Sequence, residues 1–414
     1  MSSTVIHRAE AQDRRFPLPQ GAGTDAVHRI SEYAFAVTRL DTDRGIAGTG
    51  IALTLGRGNP IVCECIRLLA GRLEGREIED LMSGFGSFTR ALADDAEMRW
   101  LGPHKGAVHL ALASISNACF DLWAKSRGVP LWQLLLSLSP HELVALLDLS
   151  YLEDTLTPEE AESLVAGQLA TRRNREGILT RGYAGYDTSV GWFDYADEKI
   201  AAAAAGARER GFSAVKLTVG SRDAQRDLRR AALLREIIGA DTLLMLDANQ
   251  QWTLPEAERI CDSLRSVNPY WIEEPTHPDD IEAHVALAAH IAPLRIALGE
   301  HVPNRVMFKN FLCRKAMHFV QPDCTRLAGV GEFLTVSLLA RKAGLPVVPH
   351  VGDMGQIHQH LVLFNHIALG HEALFLEYIP HLREYFEHPA QVSDGVYRTP
   401  QEPGCSTDLL KEHS

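Results

Sequence analysis

The feature that most constrains this chain is a rhythm in its second two-thirds, where short apolar runs end in a polar side chain and are followed by amphipathic stretches. Such alternation of strand and helix patterns marks βα units around a parallel sheet. Eight runs read as strands: Val144–Leu149, Ala214–Val219, Leu243–Ala248, Tyr270–Glu273, Arg295–Gly299, His318–Gln321, Pro346–Pro349 and Leu374–Leu376. Six of them end in, or run directly into, Asp247, Glu273, Glu300, Asp323, His350 and Glu377, which are 26, 27, 23, 27 and 27 residues apart. One βα unit occupies roughly 30 residues, so this spacing puts the six side chains on successive strands. Eight strands suggest an α/β fold closed as a TIM-type barrel, with the polar residues gathered at its C-terminal mouth, where such barrels carry their chemistry.

The first part of the chain follows a different pattern. Tyr33–Leu40 and Gly48–Leu55 read as neighbouring strands joined by a polar turn at 41–44, and Gly106–Lys125 reads as an Ala-rich helix that stops before Gly128 and Pro130. We expect an N-terminal α+β domain over residues 1–143, completed by about 385–414, and a barrel over 144–384. The stretch 150–196 should hold a helix and a substrate-side loop. A chain of 414 residues is long enough for both parts.

The net charge of -12 and the absence of any basic stripe argue against nucleic acid or an anionic membrane surface as partner. A small molecule is the expected partner. If that molecule is an anion, it needs local positive charge from a few basic side chains or a bound cation. No signal-peptide core and no apolar run of membrane-spanning length is evident, so a cytoplasmic location is expected. The seven cysteines are scattered and contain no CxxC pair, which suggests reduced thiols, with Cys63 and Cys65 on one face of a strand or in a local turn.

Three acidic residues on adjacent strands, Asp247, Glu273 and Glu300, repel one another unless a cation lies among them. An all-oxygen set favours Mg²⁺, which keeps positions open for water or substrate. His350 with Asp323 has the composition of an acid/base pair, an imidazole oriented by a carboxylate. Lys216 and Thr218 share one face of the second strand by its two-residue period and should point inward. The histidines at 358, 360, 366 and 371 lack the i, i+4 spacing of a helical zinc site and are expected on helix surfaces and interfaces. The glycine-rich pieces at 21–25 and 48–59 lack the strand-GxGxxG-helix context of a nucleotide loop. As loops over the barrel mouth they could set specificity, with Arg57 reaching a substrate group.

Taken in order, AVKLTVG, LDANQQW, WIEEPTHPDD, GEHVPNRVMFK, QPDCTRLAGVGE, PHVGDMG and LEYIPHL resemble the enolase superfamily in its mandelate-racemase-like branch, and within it the L-fuconate dehydratases. GRGN, RWLGPHKG and TSVGW extend the resemblance to the N-terminal part. The resemblance implies a capping domain on a (β/α)7β modified TIM barrel, in a homo-oligomer acting on an acid sugar. It also implies Mg²⁺ on Asp247, Glu273 and Glu300, a His350–Asp323 dyad, and Glu377 against the substrate. Asn249, Thr218 and Arg57 are further candidate substrate contacts, and His301, beside Glu300, is either a contact of the metal site or substrate or a packing residue. The implied reaction removes a proton α to a carboxylate, gives an enolate stabilised by Mg²⁺, and expels the 3-hydroxyl to yield a 2-keto-3-deoxy acid.

One position departs from the family pattern. The second-strand motif is Lys-x-Lys, and here it is Lys216-Leu217-Thr218. A threonine hydroxyl is no general base near neutral pH. Either His350 handles both proton transfers, or Lys216 has taken over as base; a catalytically silent homologue is the third alternative.

Overall fold

The computed structural model describes residues 3–351 and 354–410, so Gly352 and Asp353 of the PHVGDMG motif lie outside the described residues. An antiparallel sheet opens the chain, with strand β1 at Ile6–Pro17, β2 at Glu32–Thr42 and β3 at Ala47–Thr54, in that order. Strand β1 was not foreseen, because IHRAEAQDRRFP carries too few apolar residues to show an alternation. The helix Gly106–Ser126 packs on this sheet so closely that a Cβ on Gly50 would lie 2.0 Å from the Ser114 carbonyl oxygen. The glycines of GTGIALTL therefore serve helix-on-sheet packing. Contrary to expectation, this helix is long and apolar enough to cross a membrane; it is 89% buried within the fold, as the central helix of a domain would be.

A second cluster on the sheet joins Phe16, Phe35, Val37, Ile51 and Leu53 to Leu382, Tyr385, Phe386 and Leu409 from the end of the chain. Lys125 binds Asp121 at 2.6 Å and also Asp408, and Thr49 Oγ1 donates to Asp408 at 2.7 Å. The C-terminal segment is thus built into the capping layer. Cys63 and Cys65 are buried on the helix Asn59–Ala70, not on a strand or turn, because Pro60 in the first turn starts a helix there.

The barrel strands are β4 (Tyr183–Gly191), β5 (Ala214–Thr218), β6 (Leu243–Asp247), β7 (Trp271–Glu273), β8 (Ile296–Leu298), β9 (Phe319–Val320) and β10 (Leu376–Tyr378). Neighbours pair in parallel from β4 to β9, the seventh position is a single bridge between Val320 and Val347, and β10 returns to pair with β4. The expected first strand, Val144–Leu149, does not form. Ser139 and Glu142 make a capping box with Pro140 behind it, so Pro140–Ala145 is a helix, and β4 takes the first place in the barrel. Inside, Tyr186, Ala214, Met245, Trp271, Ala297, Phe319 and Val348 form a closed apolar ring, one from each of seven successive strand positions. The polar side chains that follow two residues on along these strands stand on that floor.

Candidate active site

Side chains on one face of a strand recur every two residues. Two residues beyond the apolar ring therefore come Thr188, Lys216, Asp247, Glu273, Gln321 and His350, and these, with Glu377 of β10, form the next layer of the barrel interior. Gly299 holds the corresponding place after β8, where a Cβ would meet the Gln321 carbonyl oxygen at 2.3 Å. Above lies a cavity of about 110 Å³ whose lower wall includes Lys216, Thr218, Asp247, Asn249, Glu300, His350 and Glu377. Its upper wall comes from the capping sheet and loop, with His28, Ile30, Tyr33, Leu53 and Leu55, and from Trp192 and Ile379 of the barrel.

Lys216 is the centre of charge at the bottom of the cavity. Its ammonium lies 2.7 Å from Glu377, 3.0 Å from Glu273 and 3.3 Å from Asp247, with its side chain 5% exposed. Burial opposes the charge, but Glu273 and Glu377 outweigh it and hold the lysine well above its usual pKa. Asp247 is pushed well above the carboxylate range, first by burial and then by Glu273, and Lys216 offsets only part of this. That is the behaviour of a carboxylate group short of positive charge. Asn249 Oδ1 is buried with no hydrogen-bond partner among the described residues, and Asn249, Gln250 and Glu274 all hold positive φ (46°, 66° and 42°), a strained backbone of the kind that gathers at functional sites. Hard oxygen donors and an orphaned amide oxygen fit a divalent cation. Glu273 is the least ready donor: one oxygen faces Lys216, and the other accepts from Trp271 Nε1 at 3.1 Å.

His350 Nδ1 lies 2.7 Å from Asp323 Oδ2, and its Nε2 faces Glu300 at 3.4 Å and Glu377 at 4.0 Å. Burial disfavours the imidazolium, but Glu300, the hydrogen bond to Asp323 and Glu377 together push its pKa up to about 10. Asp323 is drawn well below the carboxylate range: burial opposes this, and His358 and His350 overcome it. Thr188 Oγ1 (2.6 Å) and the Val351 N–H (3.1 Å) fix the two oxygens of Glu377. Two further imidazoles line the cavity, each held by a carboxylate: His301 Nδ1 is 2.9 Å from Glu274 Oε1, and His28 Nδ1 is 2.8 Å from Asp25 Oδ2. Sets with three donor atoms within 4.8 Å of one another are Glu274, Glu300 and His301, and separately Asp323, Cys324 and His358.

Comparison with known proteins agrees with this architecture. The family described as Mandelate racemase / muconate lactonizing enzyme, N-terminal domain, matches residues 3–135, and the family Enolase C-terminal domain-like matches residues 199–413. The chain belongs to the enolase superfamily, in its mandelate racemase and muconate-lactonizing branch. Human Mitochondrial enolase superfamily member 1 is 40% identical over 98% of this chain and 94% of its own length. Its crystal structure superimposes with a TM-score of 0.96 at 39% identity, covering 99% of this chain and 95% of that one. L-galactonate dehydratase of Hypocrea jecorina is 38% identical over the whole of this chain and 93% of its own. A solved L-talarate dehydratase from Polaromonas sp. JS666, complexed with Mg and L-glucarate, has a TM-score of 0.75 at 26% identity, covering 99% and 96% of the two chains. None of these names specifies L-fuconate, so the likeness supports acid-sugar dehydratases as a group and not that substrate in particular.

Within this superfamily site, the structure brings together nearly all of the sequence-predicted residues. Lys216, Thr218, Asp247, Asn249, Glu300, His301, His350 and Glu377 line one cavity, Glu273 lies beneath it and Asp323 behind His350. Arg57 does not join them. It is exposed on the 3-10 turn Gly56–Gly58, because the chain turns away from the mouth after Leu55. The histidines after PHVGDMG also differ from expectation: His358, His360 and His371 are buried, and His358 Nε2 lies 3.0 Å from Asp323 Oδ1. Sequence reasoning missed Glu274, His28 and Asp25. The doubled glutamate of WIEEP was the available signal for the first; the loop carrying the other two had none.

Proposed function

We propose that this protein is a Mg²⁺-dependent hydro-lyase that dehydrates a monocarboxylic acid sugar to a 2-keto-3-deoxy acid, with His350 as its only acid/base. The observation that carries this is His350 itself: Nδ1 is held by Asp323 at 2.7 Å and Nε2 faces the cavity. Thr218 offers no base on the second strand, and Lys216, an ammonium shared by three carboxylates, is held charged. Glu300 is the largest of the groups that hold His350 protonated, so with that carboxylate engaged by the cation a neutral His350 would take the α-proton, and the resulting imidazolium would return it to the departing 3-hydroxyl, which leaves as water. Asp247, Glu273 and Glu300 would hold the Mg²⁺, with Asn249 Oδ1 as a further oxygen. The cation, when bound, supplies positive charge against the substrate carboxylate and the charge that develops there. Lys216 and Glu377 would orient the acid end of the sugar.

The upper wall supports a substrate with one acid group. Ile30, Leu53, Leu55, Trp192 and Ile379 suit an uncharged far end, His28 and His301 are already paired with Asp25 and Glu274, and the lining Arg326 donates its Nε–H to the Glu300 carbonyl oxygen at 3.0 Å. L-Fuconate and L-galactonate meet this description; diacids such as L-talarate and galactarate do not. Turnover of the four sugars by the Mg²⁺-loaded protein, followed as semicarbazone absorbance of the keto product, tests it. Product from a monoacid is expected, and faster turnover of a diacid would refute the assignment. Thr218 also favours a second reading, a homologue that binds acid sugars without converting them, which would show Mg²⁺-dependent binding and no product.

A further inference from the structure

Resting on the single-histidine reading above, we propose that His358 is a positioning residue of the dyad, locking Asp323 so that only one of its oxygens is left for His350. His358 sits in the first turn of the helix Ile357–Leu369 and is 1% exposed. Its Nε2 lies 3.0 Å from Asp323 Oδ1, and the same oxygen accepts from Thr325 N at 2.7 Å and Thr325 Oγ1 at 2.7 Å. Three donors fill Oδ1. Oδ2 is turned to His350 Nδ1 at 2.7 Å.

The proton of His358 is assigned to Nε2 by this carboxylate contact. The Cys324 N–H at 3.2 Å and the Cys324 Sγ at 3.3 Å also approach Nε2, but a contact with an ionised oxygen is the strongest of the three. Nδ1 is then a bare nitrogen, in keeping with its lack of any partner among the described residues. A buried imidazole costs more to place than a leucine of similar size, and here its one strong bond goes to the carboxylate that orients the base.

The consequence for catalysis is geometric. If one imidazole takes the α-proton and returns it to the hydroxyl, its ring must keep one orientation and one tautomer through both transfers. A carboxylate free to rotate about χ2 would offer Nδ1 either oxygen and loosen Nε2 at the mouth. With Oδ1 filled from the helix after the seventh strand position and from the loop after β9, that rotation is blocked. Both anchors come from elements already fixed in the barrel wall.

The test uses the full chain with Mg²⁺, the variants His358→Leu and His358→Gln, and L-fuconate and L-galactonate as probes. For His358→Leu we expect kcat to fall about 10- to 100-fold with KM within about twofold, the size seen when an outer partner of a catalytic ligand is lost. Glutamine can donate to Oδ1, so His358→Gln should restore kcat to within about threefold of wild type on the same grounds. The second readout needs no turnover. In the ¹⁵N-histidine-labelled protein, the Nδ1–H signal of His350, identified by its loss in His350→Asn, should persist in His358→Gln and broaden or vanish in His358→Leu. An unchanged signal in His358→Leu, or equal damage from both substitutions, would overturn the assignment and leave His358 a packing residue. If wild type converts neither sugar, the proposed reaction fails, and the His350 signal alone decides the role of His358.

Discussion

Lowering the pH should weaken the fold through histidines that are buried uncharged, and His360 is the cleanest case. Its ring is inaccessible, its Nδ1 accepts the Trp132 N–H at 3.2 Å, and burial pulls its pKa from 6.5 down to about 3. The folded pKa lies below the unfolded one, so the stabilisation is complete above pH 6.5 and is lost as pH falls toward 3. At pH 5 the unfolded chain binds almost one proton here and the folded chain almost none, which amounts to about 2 kcal/mol by linkage. That figure barely changes for any folded pKa below about 4, because the folded site is then empty of protons at pH 5. His371 and His381, each lowered to about 4 by burial, act in the same direction. His360→Gln keeps an acceptor for Trp132 without the titration. In urea unfolding at pH 8 and pH 5, the variant should lose about 2 kcal/mol less than wild type between the two. Equal losses in the two proteins would refute the burial argument for this residue.

Three further outcomes follow from the site and its support. Lys216→Met leaves Asp247, Glu273 and Glu377 without their shared cation, so the metal-free variant should lose about 3–5 kcal/mol, with part regained on adding Mg²⁺, as read by thermal unfolding with and without the ion. Asp323→Asn removes the charge behind His350 and can present an N–H to Nδ1, so kcat on any converted acid sugar should fall by about a thousandfold or more while Mg²⁺ binding, measured calorimetrically, stays. Gly50→Ala places a methyl 2.0 Å from the Ser114 carbonyl oxygen in the capping domain and should cost about 3 kcal/mol in urea unfolding, without altering the charges of the mouth.

What the sequence made legible was whatever depended on period. The two-residue alternation that fills the barrel interior also carries Lys216, Asp247, Glu273 and His350 into one layer, so apolar runs ending in polar residues revealed strands and site together. The first strand failed that test because Val144–Leu149 is as apolar as a strand, while the deciding signal, the Ser139 and Glu142 box around Pro140, lay just before the run. The capping contribution was hidden for another reason. His28 and Asp25 lie in a loop with no periodicity, held by Thr24 through the Phe193 and Asp194 amides at 3.0 and 3.1 Å. Contacts of that kind join residues some 170 positions apart, and only the folded chain shows them. The spacing of His358 from the neighbouring histidines carries no sign of its partner, a carboxylate in the loop after β9.

Thr218 finally bears on the course of the reaction itself. A site with acid/base groups on both faces of C2 can remove a proton from one side and return one to the other, which inverts configuration. With His350 alone, proton removal and return occur on a single face, and the hydroxyl departs toward the imidazolium that has just been formed. Elimination should therefore be syn, and substrate recovered from D₂O after partial turnover should carry deuterium at C2 with its configuration retained. L-Galactonate or L-fuconate followed by proton NMR in D₂O shows both the label and any C2 epimer. An accumulating epimer would require a second acid on the opposite face, and His28, a lining imidazole held by Asp25 at 2.8 Å, would be the first residue to replace. Retention of configuration, with exchange lost in His350→Asn, would leave Thr218 as the reason this barrel works from one side.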